Sequence, residues 1–157
     1  MSTALQSTLR SPVFDGTTGG PASGSAASTP PIRVFVVEDS RLIRERLVAL
    51  IGEIDGVEVV GCAEGVPEAV NGILRTSPHA VVLDISLTPG SGLDVLREVH
   101  VKAPAILFIV LTNFANPQYR RICMDAGASH FLDKSCDMDQ VKPLLGAMAA
   151  KQRAQHH

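Results

Sequence analysis

From Ile32 onward short apolar runs alternate with segments of helical period, five strand–helix units in all with no internal sequence repeat. The runs are Ile32–Val37, Val57–Gly61, Ala80–Leu83, Ala105–Leu111 and Ser129–Leu132. They read as apolar without alternation, the pattern of strands buried on both faces. Strands that alternate with helices require crossover connections, which are right-handed, and so predict a parallel sheet with helices on both sides. The expected fold class is therefore α/β, a doubly wound five-stranded parallel sheet.

Helix signals fall between the runs. Ser40 is placed to cap a first helix, in which Ile43, Leu47, Leu50 and Ile51 share a face before Gly52 to Gly56 close it. A second helix opens at Pro67, carries Val70, Ile73 and Leu74, and ends before Pro78. Ser91-Gly92-Leu93-Asp94 resembles a capping box ahead of Val95, Leu96 and Val99, and Pro104 stops that helix. Asn116-Pro117 caps a fourth, with Tyr119, Ile122, Cys123 and Ala126 at helical spacing before Gly127. The last helix is expected from about Asp137, with Val141, Leu144, Leu145 and Met148 inward.

In open sheets of this kind the site lies outside the carboxyl ends of the strands. Those ends carry Glu38 and Asp39 after the first run, Asp84 after the third and Thr112 after the fourth, with Lys134 just past the fifth. Crowded carboxylates repel and raise one another's pKa, so a cation or a lysine must offset them. An all-oxygen cluster suits Mg²⁺, particularly where a phosphate completes the shell. Taken singly, Asp84 reads as a solvated acid, Thr112 as a strand former, Lys134 as a surface lysine and Ser40 as a helix cap. Their joint placement argues for chemistry.

Five motifs in order carry a family resemblance: Val36-Val37-Glu38-Asp39-Ser40, Leu83-Asp84-Ile85-Ser86-Leu87, Ser91-Gly92-Leu93-Asp94-Val95-Leu96, Leu111-Thr112-Asn113 and Phe131-Leu132-Asp133-Lys134. From Ile32 to about Ala150 the chain resembles the receiver domain of two-component response regulators. The resemblance implies a flavodoxin-like sheet of order 2-1-3-4-5. It also implies that Asp84 is the phosphoacceptor, and that Glu38, Asp39, Asp84 and the main-chain carbonyl of Ser86 hold Mg²⁺. Thr112 would hydrogen-bond the phosphoryl group, Lys134 would pair with one of its oxygens, and Thr112 and Phe131 would form the switch. A carboxylate is a usable nucleophile at neutral pH and gives an acyl phosphate on attack at phosphorus.

The implied partners are a histidine kinase or histidine phosphotransfer protein, and a downstream protein bound by the face of helix four, strand five and helix five. Catalysis would be limited to the chain's own phosphorylation and dephosphorylation. Other readings are a phosphorelay intermediate or phosphate sink, a receiver-shaped module that binds whatever its phosphorylation state, and an FMN-binding flavodoxin-like protein. Without a metal, Glu38-Asp39 would repel the phosphate of FMN.

Three positions depart from the family pattern. Ser135 stands where proline is usual, and a cis Lys134-Ser135 peptide would cost about 3 kcal/mol; either a trans bond with a reshaped loop or a strained exception is expected. Asn113 replaces a small residue, with room to narrow access to Asp84. Pro89 stands five residues after Asp84 rather than four, so the Thr88-Pro89-Gly90 turn is expected to differ.

Composition bounds the rest. Of the first 31 residues 11 are Ser or Thr, 4 Gly and 4 Pro, with one acid and one base. Such a stretch cannot offset its ordering entropy by burial, so residues 1–31 are expected to be a disordered leader. Residues 32–152 form the receiver and 153–157 a frayed end. The 126 residues after the leader suit one core, and no separate output domain is expected. A net charge of −2 argues against a nucleic-acid partner. The longest apolar run, Ala105–Leu111, is too short to cross a bilayer. Three separated cysteines fit reduced, buried thiols and a cytoplasmic location. His79, His100 and His130 lack metal-ligand spacing.

Overall fold

The computed structural model describes residues 29–87 and 90–155. The expectations for the leader up to residue 28, for Thr88-Pro89 and for His156-His157 lie outside the described residues. From Pro31 on, the chain forms a unit of its own.

Five strands and five helices alternate: β1 Ile32–Val37, α1 Arg41–Gly52, β2 Val57–Ala63, α2 Val66–Thr76, β3 Ala80–Asp84, α3 Gly92–Lys102, β4 Leu107–Thr112, α4 Pro117–Asp125, β5 His130–Asp133 and α5 Val141–Gln155. All strand pairs are parallel, and the sheet order is β2-β1-β3-β4-β5. This is the flavodoxin-like order expected from the sequence.

Successive residues of each strand point to opposite faces, and the core divides accordingly. Phe35, Val37, Val81, Leu83, Phe108 and Val110 pack with α2 and α3 on one side. Val34, Val36, Val82, Ile109 and Leu111 pack with Leu47 and Ile51 of α1 and Val141, Leu145 and Ala149 of α5 on the other. Because both faces are covered, β1, β3 and β4 carry almost no polar residue before their ends. The Phe35 ring fills the space that a Cβ at Gly61 or Gly72 would occupy, 2.6 Å from the ring in each case.

The caps follow the local chemistry. Ser40 Oγ accepts from Ile43 N–H at 3.4 Å, and Asn116 Oδ1 accepts from Tyr119 N–H at 2.8 Å. Ser91 Oγ accepts from Leu93 N–H, so the Ser91–Asp94 box acts through its serine.

Several boundaries shift. β4 starts at Leu107, because Ile106 N–H turns back to the Ala103 carbonyl. A 3-10 turn over Met138–Gln140 precedes α5, which stays helical through Gln155, into the stretch expected to fray. Only Cys123 is buried; Cys62 and Cys136 are exposed, against the expectation of buried thiols. Cys62 lies on the edge strand β2 and Cys136 in the loop after β5. Tyr119 does not face the core with Cys123; it is exposed, and its ring packs on Phe114 instead. No described helix is long and apolar enough to cross a membrane.

Candidate functional site

The sheet register assembles the site. Val37 pairs with Leu83, so the next residues, Glu38 and Asp84, leave the sheet side by side. Asp84 pairs with Leu111 and Thr112 with Asp133, which brings Thr112 and Lys134 to the same end. Four of the side chains singled out from the sequence are buried there: Glu38 is 1% exposed, Thr112 1%, Asp84 3% and Lys134 9%. Asp39 is half-buried beside them.

The Lys134 ammonium joins the two buried acids. Its Nζ donates to Asp84 Oδ2 at 3.0 Å and lies 2.8 Å from Glu38 Oε1. The Glu38 contact is an ion pair without hydrogen-bond alignment, whereas Glu38 Oε2 accepts from Ser40 N–H at 3.0 Å. Asp84 Oδ1 accepts from Ser86 N–H at 3.0 Å. Ser86 thus borders the acid whose shell its carbonyl was expected to complete.

The electrostatics follow from burial. Loss of solvent pushes the Glu38 carboxyl above its ordinary value; the Lys134 ammonium and the Ser40 N–H oppose this, and the Asp84 charge adds to it. Burial alone would lower Lys134, but its contacts with Glu38 and Asp84 outweigh that and raise it, so it stays charged. Ligand oxygens of Glu38, Asp39 and Asp84 lie within 4.8 Å of one another. Three carboxyl groups face one ammonium. The cluster therefore has the oxygen donors and the unbalanced negative charge that a hard divalent cation requires.

Other residues that sequence reasoning missed hold the site in place. Arg44 Nη1 donates to the Glu38 main-chain carbonyl at 3.0 Å, while Nη2 lies 3.3 Å from Glu64 Oε2. This ties the end of β1 to the loop after β2. Gly92, read from the sequence only as part of a cap, opens α3 against the strand end. A Cβ there would run into the Asp84 main-chain oxygen and lie 2.9 Å from Ile85 Cα. No spacing rule in the sequence reports either contact.

The two positions expected to form the switch are less alike. Thr112 Oγ1 accepts from Phe114 N–H at 3.0 Å, and Thr112 O accepts from Lys134 N–H at 2.8 Å. Phe131 is half-buried against the α2–α3 side of the core. Asn113 is exposed. Ser135 caps the Lys134 loop locally: its N–H and hydroxyl both donate to Asp133 Oδ1, at 2.8 and 2.6 Å. These bonds hold the Asp133 carboxyl below its usual range. His79 has a structural role, its Nδ1 accepting from Arg33 N–H at 2.9 Å.

Comparison with known proteins agrees with this fold. The family model for the response regulator receiver domain matches residues 34–145. The transcriptional regulatory protein YvfU of Bacillus subtilis is 34% identical over 110 residues, covering 70% of this chain and 55% of its own length. The DNA-binding transcriptional activator DevR/DosR of Mycobacterium tuberculosis is 31% identical over 103 residues, 66% of this chain and 48% of that protein. The chain thus spans about half the length of these relatives. Among solved structures, the response regulator domain of Thermotoga maritima CheB superposes with a TM-score of 0.68 at 27% identity. That match covers 79% of this chain and 97% of the domain. A LuxR-family two-component response regulator from Aurantimonas gives 0.72 at 26% identity, covering 77% and 86%. The chain belongs to the response regulator receiver domain family of two-component signalling.

Proposed function

We propose that this receiver accepts a phosphoryl group on Asp84 from a histidine kinase or histidine phosphotransfer protein and passes the signal on through protein–protein contact. The observation that carries the reading is the Lys134 ammonium, held by ion pairs to both Glu38 and Asp84 inside a cluster of three acids. A carboxylate needs no base to attack phosphorus, so the chain's task is positioning and charge neutralisation.

Glu38, Asp39, Asp84 and the Ser86 carbonyl would hold Mg²⁺, which when bound neutralises phosphoryl oxygens. An Asp84 carboxylate oxygen forms a bond to phosphorus as the bond to the donor's leaving atom breaks, and the electron pair departs with that atom. Lys134 keeps its proton throughout and offsets charge on a phosphoryl oxygen. The Thr112 hydroxyl donates to another. Attack of water on phosphorus later returns the carboxylate and inorganic phosphate.

The product carries about −2 of charge, which draws Thr112 and with it the segment that Phe114 N–H ties to Thr112 Oγ1. Phe131, already half-buried, has no hydroxyl to satisfy, so packing alone selects its rotamer. Output then runs through α4, β5 and α5, the face the family resemblance implies. The expectations of a cytoplasmic location and of no direct nucleic-acid contact belong to this proposal.

Beryllofluoride with Mg²⁺ tests it, because the adduct mimics an aspartyl phosphate. The proposal expects amide shifts at Asp84, Thr112 and Phe131 that vanish in Asp84→Asn. A spectrum unchanged by the reagent would count against it.

A further inference from the structure

Among the described residues, two exposed large apolar side chains are neighbours: Phe114 at 53% and Tyr119 at 41%. Their ring centroids lie 6.3 Å apart at 42°, within the range of favourable aromatic contact. The rings therefore hold one another at the start of α4 rather than folding onto the core. Gln118, Tyr119 and Ile122 line a cavity of about 220 Å³ beside them.

Before its last residue, α4 carries charge of one sign. Arg120 and Arg121 are exposed, and they are the only adjacent basic residues in the chain. The first turn of α4 has no acid, and its one acid, Asp125, closes the last turn. The ion pairs of the described residues use other bases, so neither arginine is neutralised by one. Arg121 follows Gln118 by three residues, so it stands over the cavity side of the helix. An exposed aromatic pair beside unneutralised arginines has the residue types that dominate binding energy at protein interfaces.

We propose that Phe114, Tyr119, Arg120 and Arg121 form a docking surface for a partner segment that carries an aromatic or aliphatic anchor flanked by carboxylates. The anchor enters beside Tyr119 and Ile122, and the carboxylates pair with the two guanidinium groups. The surface is joined to the buried site through the bond from Phe114 N–H to Thr112 Oγ1. The proposal deepens the receiver reading by naming the partner's chemistry, and rests on that reading only for its coupling to Asp84.

Selection of a random peptide library on the full chain, with and without beryllofluoride and Mg²⁺, tests it. Selected peptides should combine an aromatic or aliphatic residue with nearby Asp or Glu. A synthetic Phe-anchored representative, free of Tyr and Trp, should perturb the emission of Tyr119, because the chain has one tyrosine and no tryptophan. Its affinity should fall with salt. Arg120→Glu with Arg121→Glu should weaken it by at least about tenfold, or about 1.4 kcal/mol. All these side chains are exposed, and an unchanged melting temperature checks that the variant is folded.

No selection, selection of basic or uncharged peptides, or equal binding by the double variant overturns the proposal. So does self-association of the chain abolished by the same substitutions, which would assign the face to a second copy. The beryllofluoride adduct is read on the same samples. Acidic peptides bound without an adduct leave the surface standing and sink the receiver reading; an adduct without acidic peptides does the reverse.

Discussion

The Nζ of Lys134 lies 3.0 Å from Oδ2 of Asp84, a contact spanning fifty residues that closes the buried end of the sheet. The same ammonium lies 2.8 Å from Glu38. Removing one partner of a buried ion pair leaves an uncompensated charge and costs about 3–5 kcal/mol. Lys134→Met should reach no more than about 3 kcal/mol, because Glu38, whose carboxyl burial already pushes up, can take a proton. The loss should shrink when Mg²⁺ is added, since a bound cation supplies the missing charge. Urea denaturation with and without Mg²⁺ measures both, and an equal loss in the two conditions contradicts the neutralising role.

Gly92 stands where α3 meets the end of β3. A Cβ there collides with the Asp84 carbonyl, which is backbone and cannot swing aside. Gly92→Ala should cost about 1–3 kcal/mol, the range for overpacking, and should slow reaction at Asp84 because the strand end must shift. A variant with wild-type stability and reactivity would contradict the close approach.

Ser77 ends α2 in the left-handed region, at φ 48° and ψ 59°, with its N–H bonded to the Ile73 carbonyl. Side chains disfavour that conformation by about 1–2 kcal/mol and glycine does not. Ser77→Gly should therefore stabilise the protein by about 1 kcal/mol in thermal denaturation, whereas a loss would mean the helix ends otherwise.

What was legible in the sequence follows from burial. β1, β3 and β4 are covered on both faces, so apart from Arg33 their runs are apolar, and each stops where a polar residue of the candidate site begins. That gave the strands and, at their ends, Glu38, Asp84 and Thr112. Tyr119 was misplaced, because helical spacing locates a residue on a face but does not say whether anything covers that face. Arg44 and Gly92 were missed for a related reason. Their contacts, to the Glu38 and Asp84 carbonyls, are with backbone, which leaves no trace in residue type. Ser135 departs from the family pattern, and its bonds to Asp133 form a different local cap.

His79 makes stability depend on pH. Burial, with the Arg33 charge, lowers its pKa below the ordinary histidine value, and the Nδ1 that accepts from Arg33 N–H must stay unprotonated. The unfolded chain then binds more protons than the folded one near and below the ordinary value, so stability rises with pH there. The contribution is present above the unfolded pKa and is lost as pH falls through the folded one. Urea midpoints between about pH 7 and about pH 5 should fall more steeply for wild type than for His79→Gln. Parallel profiles would contradict the assignment.

Everything above turns on Asp84 as the phosphoacceptor. Intact-protein mass spectrometry after incubation with Mg²⁺ and a small acyl phosphate donor tests it most directly. The full chain should gain a single phosphoryl adduct that is labile to hydroxylamine, as an acyl phosphate is, and absent from Asp84→Asn and from samples with chelator. No adduct on the wild type, or an adduct that survives in Asp84→Asn, would contradict it.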